Sequence, residues 1–328
     1  MQWESRYLPP DPTVWQGRAD IPPGACFYQH IHPLNLLTSP IKPPADQTVF
    51  ALLGFKCDEG IARDLGRTGA VEGPIAIRQR LAKLPVQNPE LFCYDVGNII
   101  CTDHDLEASQ QALAEVTAML LEKNIKTIVM GGGHEVAFGH YQGIAKVSAP
   151  TQRLGIINFD AHFDLQPLHP SHRGSASTAF YQIAQAQLAA QRPFDYNCIG
   201  IQHVSNLRPA FDMAKRYQTK MVLADDIHLG LREKCFDFIG RVIDENDLIY
   251  ASLSLDVFAP AYAPGVSSIQ PLGLNPWQVI PLIRQIAASG KVIGYDIVEH
   301  VPRYDIDHRT AKLAATLIYE IIHHHRDI

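Results

Sequence analysis

No two of the six cysteines (Cys26, Cys57, Cys93, Cys101, Cys198, Cys235) stand at C-x-x-C spacing. That fits reduced thiols better than a disulfide framework or a zinc ribbon. No apolar run reaches the roughly 18 to 20 residues that span a bilayer. The opening stretch MQWESRYLPPDPTVWQGRAD has neither the basic nor the apolar region of a secretory signal, so a cytoplasmic protein is expected. Basic excess is missing too: a formal net charge of −6 and a pI near 6.2 leave no footprint for nucleic acid or an anionic membrane. Small molecules are the expected partners. Internal repeats and low-complexity linkers are absent as well. What the chain does have is 328 residues with 46% hydrophobic content, enough for a large core in one domain. A single catalytic domain over 1–328 is expected, with the proline-rich residues 1–45 as an irregular surface wrap.

The rest of the chain alternates β-rich runs with amphipathic segments. QTVFALLGF leads to GPIAIRQRLAKL, IKTIVM to a helix beginning near Glu135, and RLGIINF to STAFYQIAQAQLAAQ. DYNCIGI then leads to NLRPAFDMAKRY, DLIYASLSL to PWQVIPLIRQIAAS, and KVIGYDIV to HRTAKLAATLIYEIIHH. Strands this continuously apolar, each followed by a helix, predict an α/β fold with a mainly parallel sheet covered on both faces. Ligands of such sheets bind beyond the carboxyl ends of the strands.

Chemistry-bearing residues collect at those ends. In IINFDAHFDLQP, an apolar strand runs into Asp160, His162 and Asp164 at alternate positions, so that their side chains converge. Two neighbouring buried carboxylates call for a cation. TIVMGGGHEVAFGHY places three glycines and His134 between a strand and a helix, and LIYASLSLDVFAPAYAPG places Asp256 at the end of another strand. No Lys-Ser or Lys-Thr follows the glycines, which argues against a phosphate loop. Histidine and aspartate without cysteine favour Mn2+ or a related divalent ion over a thiolate zinc site. His323, His324 and His325 read as an exposed helix end.

With GGGHE, DAHFDL and the D-V-F-x-P loop in this order, the sequence resembles the ureohydrolase family of arginases, agmatinases and formimidoylglutamases from residue 15 to the last helix. LGRTGAVEGPIAIRQRL, HRGSASTAF and DIVEHVPRYDIDHRTAKLAA are most like the formimidoylglutamases. The resemblance implies an arginase-like three-layer α/β/α domain, often oligomeric, carrying two Mn2+ ions. It puts His134, Asp160, His162, Asp164 and Asp256 in metal-ligand places, and Glu299 beside the substrate. The family's S-x-D-x-D segment is S-L-S-L-D here, so Ser254 occupies a place that a bridging carboxylate holds in the family. One ion then keeps His134, Asp160 and Asp164, and the other keeps Asp160, His162 and Asp256. Two more departures lie near the implied pocket, at Ser177 and Val301.

Divalent ions lower the pKa of water far enough to make it a nucleophile near neutral pH. An amidine carbon is the fitting target, with Glu299, or a group it orients, moving a proton to the departing nitrogen. Arg67 and Arg173 are candidates to clamp substrate carboxylates, and Thr178 is a further pocket candidate. The leading expectation is hydrolysis of N-formimidoyl-L-glutamate to L-glutamate and formamide in histidine breakdown. The alternatives are an agmatinase or guanidinobutyrase, and a metal-poor homologue that binds without catalysis.

Overall fold

Apolar runs in this chain form strands wherever their β-branched residues have helices to cover both faces. The computed structural model describes residues 2–45, 47–168 and 173–327. Its strands are β1 (Tyr7–Leu8), β2 (Ile31–Pro33), β3 (Val49–Lys56), β4 (Phe92–Ile100), β5 (Ile125–Met130), β6 (Leu154–Phe159), β7 (Asp195–Ile201), β8 (Lys220–Leu223), β9 (Leu248–Ser254) and β10 (Val292–Val298). The helices are α1 (Glu59–Arg63), α2 (Gly73–Leu81), α3 (Leu106–Leu121), α4 (Val136–Val147), α5 (Ala179–Ala189), α6 (Arg208–Arg216), α7 (Ala224–His228), α8 (Arg232–Glu245), α9 (Pro276–Ala287) and α10 (Arg309–His324).

All ten strands join one sheet in the order β1-β4-β3-β5-β10-β9-β6-β7-β8, with β2 also on β4. Only β1 runs antiparallel to its neighbour. Helices α2, α8, α9 and α10 cover one face, burying Ile77, Leu81, Ile283 and Leu317 with Ile128, Phe159 and Ile297 of the sheet. Helices α3, α4 and α5 pack in series on the other. Residues on both faces of the central strands are buried, as in β6, where Leu154 to Phe159 are buried without a break. Among the described residues, no helix is long and apolar enough to cross a membrane.

Every strand and helix expected above is present, with ends shifted by a few residues. Three corrections apply. The first 45 residues are not wholly irregular, because β1 and β2 dock on β4 and Trp15 Nε1 donates to buried Asp95, 2.8 Å away. The elements α1, β4, α3, β8, α7 and α8 are additional to those expected. The histidines after Ile322 are not an exposed end: His325 is buried against Phe50 and Tyr295, and His323 stacks on Tyr319.

Candidate metal centre

Four adjacent strands, β5-β10-β9-β6, deliver the site from their carboxyl ends. The turn after β5 carries His134, Glu299 directly follows β10, β9 ends at Ser254 with Asp256 two residues on, and β6 runs into Asp160, His162 and Asp164. The glycines before His134 are needed for close approach: a Cβ on Gly132 would collide with the Cys57 carbonyl. Asp164 and Glu299 lie in the left-handed backbone region, at φ 47 and φ 72. Non-glycine residues held there inside a ligand site are a mark of functional strain.

Two clusters able to hold an ion share one residue, Asp160. The first is His134, Asp160 and Asp164; the second is Asp160, His162 and Asp256. His134 Nδ1 lies 2.9 Å from Oδ2 of both Asp160 and Asp164. His162 Nδ1 lies 3.3 Å from Asp160 Oδ1 and 3.1 Å from Asp256 Oδ2. Despite those short distances, buried His134 Nδ1 makes no hydrogen bond. Its other nitrogen, Nε2, is hydrogen-bonded to Ser252 Oγ at 2.9 Å. That bond fixes the ring and leaves Nδ1 aimed between two carboxylates.

The charges in this space are closely coupled. Burial opposes ionisation of Asp160, but contacts with His134 and His162 hold its carboxyl below the usual range. Burial, followed by the charge on Asp160, pushes Asp164 up to about 6 and raises Asp256 as well. Burial also works against protonation of both imidazoles, yet the surrounding carboxylates raise them well above their ordinary value. Charged imidazoles and carboxylates therefore balance one another here. Imidazole nitrogen and carboxylate donors, with buried His134 Nδ1 unpartnered, fit hard divalent ions, which would displace those protons.

A cavity of about 750 Å³ opens above this floor, lined by His134, His162, Asp164, Ser254, Asp256 and Glu299 from the centre and by Arg67 and Ser177 from the walls. Glu299 accepts the His134 backbone N–H at 2.6 Å and the Ser267 hydroxyl. Burial, then the charge on Asp256, pushes its carboxyl up to about 8. Ser254 belongs to neither cluster; its Oγ donates to Asp256 Oδ1 at 2.7 Å, the oxygen that does not face His162. Arg67 is the only Arg or Lys lining the cavity among the described residues, and its guanidinium stacks 3.7 Å over the Tyr304 ring.

The other expected residues fall elsewhere. Arg173 does not line the cavity: it donates to the His104 carbonyl at 2.9 Å and lies 3.7 Å from Glu59. Thr178 is buried and accepts the Ser175 N–H at 2.8 Å, which closes a turn at the start of α5. Ser177 reaches the wall, where Asp64 accepts both its N–H and its hydroxyl proton. Val301 packs with Ile61 and Ala70 and not on the cavity. Reading from sequence missed Ser252, Gln270 and Tyr304. Gln270 pairs with His162 Nε2 at 3.1 Å. Ser252 had a legible signal, since it alternates with Ser254 and Asp256 along β9.

Residues 48–324 match the arginase family. The chain is 41% identical to a formimidoylglutamase of Legionella pneumophila over 322 residues, covering 97% of this chain and 98% of the relative. Its fold is similar to the crystal structure of formimidoylglutamase from Bacillus subtilis, with a TM-score of 0.78, 22% identity, and coverage of 94% of this chain and 93% of that one. Formiminoglutamase of Trypanosoma cruzi, solved with Mn2+, is similar with a TM-score of 0.77 at 22% identity, covering 86% of this chain and 94% of that one. The chain belongs to the arginase family.

Proposed function

We propose that this arginase-family hydrolase cleaves the amidine C–N bond of N-formimidoyl-L-glutamate, giving L-glutamate and formamide, as a step of histidine breakdown. The observation that carries the chemistry is the pair of donor clusters joined through Asp160 at the floor of the cavity. The full-length likeness to a formimidoylglutamase supports the substrate. His134, Asp160 and Asp164 would hold one Mn2+ ion, and Asp160, His162 and Asp256 a second. When bound, such ions supply a nucleophilic water near neutral pH.

The chain's own residues do the rest. Ser252 fixes the His134 ring, and Ser254 fixes Asp256. Glu299 faces the cavity beside these groups; there it would receive an amidine N–H and pass a proton to the departing nitrogen. In the overall step the water oxygen ends in formamide, the bond from the formimidoyl carbon to the glutamate nitrogen breaks, and that nitrogen gains the proton. Arg67, preorganised on Tyr304, supplies the charge that pairs with a substrate carboxylate.

A panel of formimidoylglutamate, arginine, agmatine and guanidinobutyrate, with and without Mn2+ and with product assays for formamide and urea, tests this reading. Formamide from formimidoylglutamate alone supports it, urea from any guanidine redirects it to a ureohydrolase, and no turnover leaves a binding protein. Arg67→Ala should raise KM by about 10- to 100-fold with kcat nearly kept, the size of one lost charge-assisted pairing. An unchanged KM would remove Arg67 from the substrate site.

A further inference from the structure

Behind the glycine turn, away from the cavity, two thiols lie side by side. Strands β3 and β4 are parallel with Lys56 opposite Ile100, and the Cys101 N–H donates to the Lys56 carbonyl at 3.3 Å. The next residues on each, Cys57 and Cys101, are therefore register neighbours where the two strands end. Adjacent strands lie about 4.7–4.9 Å apart, inside the Cα separation of about 4.4–6.8 Å that a disulfide spans. Both thiols are free.

Their surroundings differ in a way that suits stepwise oxidation. Cys57 is buried, whereas Cys101 is partly open to solvent just before α3. The neighbouring Cys57 thiol draws the Cys101 thiol below its ordinary value; partial burial opposes this, and the Ser109 hydroxyl and Arg6 assist it. A reachable thiol with thiolate character beside a second thiol is the arrangement found at reversibly oxidised sites.

Cys57 is also tied to the metal centre. Its carbonyl accepts the Gly133 N–H at 3.2 Å, one residue before His134, and it leaves no room for a side chain on Gly132. In the sheet, β4 and β5 flank β3 on opposite sides. An S–S bond of about 2.03–2.05 Å is shorter than any contact between free thiols, so closing it draws Cys57 toward β4 and away from the turn that follows β5.

We propose that Cys57 and Cys101 form a redox-responsive thiol pair that a peroxide closes to a disulfide, loosening the turn that carries His134. The Cys101 thiolate attacks one peroxide oxygen, giving a sulfenic acid and releasing hydroxide. The Cys57 sulfur then attacks the sulfenic sulfur; the S–S bond forms, and the sulfenic oxygen leaves as water with the Cys57 proton. Two thiols lose two electrons, and the peroxide is reduced to water.

The effect at His134 rests on the metal-centre reading above, whereas the thiol chemistry does not, so the two are read separately. The reduced full-length chain is treated with hydrogen peroxide, and free thiols are alkylated and mapped by peptide mass. Oxidised and untreated chains are then loaded with Mn2+, and its release to a chelator is followed. The expected result is a Cys57–Cys101 linked peptide, reversed by dithiothreitol, with several-fold faster release from the oxidised chain; Cys101→Ser shows neither. Cys57 and Cys101 alkylated as fully as Cys93 after oxidation, or Cys101 carried to the sulfinic acid with no link, would overturn the pair. A link with unchanged Mn2+ release would overturn the coupling to His134. A wild-type chain that takes up no Mn2+ refutes the metal reading and leaves the thiol map to decide the rest.

Discussion

The His134 half of the centre is held from behind by the sheet, whereas the His162 half is held from the side by loops. His134 is 2% exposed and its Nε2 is fixed by Ser252, which lies 3.5 Å from Asp296 in a buried group with Tyr250 and His140. His162 is 25% exposed, and its outer nitrogen meets only the side chain of Gln270 on the loop after β9. Its second carboxylate, Asp256, is steadied by the Ser254 hydroxyl. Rigid backing with short distances on one side and loop support with longer ones on the other predict unequal affinities: an ion at His134 would be held tightly and one at His162 loosely.

The largest expected effect comes from removing what the halves share. Asp160→Ala takes a carboxylate from both clusters, so the purified variant should retain neither ion and show no turnover; metal content by mass spectrometry checks this, and wild-type content would refute the shared role. Asp256→Ala should strip only the His162 half, leaving one ion per chain and little activity. Loss of both ions there would erase the distinction between the halves.

Ser252→Ala sharpens the comparison from the other direction. It frees the His134 ring without touching a ligand, and affinity for the tighter ion should fall by about 10- to 100-fold, the usual cost of losing such a partner. Chelator competition measures it, and equal loss at both ions would mean that Ser252 acts on the centre as a whole. The smallest change expected is a gain. Ser254→Asp adds a carboxylate where a neutral hydroxyl now only steadies Asp256, so Mn2+ should survive dialysis longer and the looser ion should benefit most. The same added negative charge also disfavours loss of a proton from bound water, moving the activity profile toward higher pH. Identical metal retention in wild type and variant would show that residue 254 does not face the ions.

The sequence made the first half of this site legible because its signals are local. An apolar strand followed by acid, imidazole and acid at alternate positions needs no distant partner to be read. What it hid depends on partners far along the chain. Strand β4 carries Asp95, Gly97 and Asn98, which break an apolar pattern; in the fold Arg78 binds Asp95 and Asn98 at 2.9 Å each and Trp15 caps the same carboxylate. Arg173 and Arg67 have equal charge in the sequence, and only the fold gives Arg173 to Glu59 and His104 while leaving Arg67 on the cavity wall. The burial of the terminal histidines has no local signature because it comes from edge contacts with the distant Phe27, Phe50 and Tyr295 rings.

Titration of the metal-free chain with Mn2+, followed by electron paramagnetic resonance, tests the unequal centre most directly. The account predicts two equivalents taken up in sequence, the second weaker, with a spin-coupled signal emerging only as the second binds and absent in Asp256→Ala. A single equivalent in the wild type, or two equivalents of equal affinity, would contradict it.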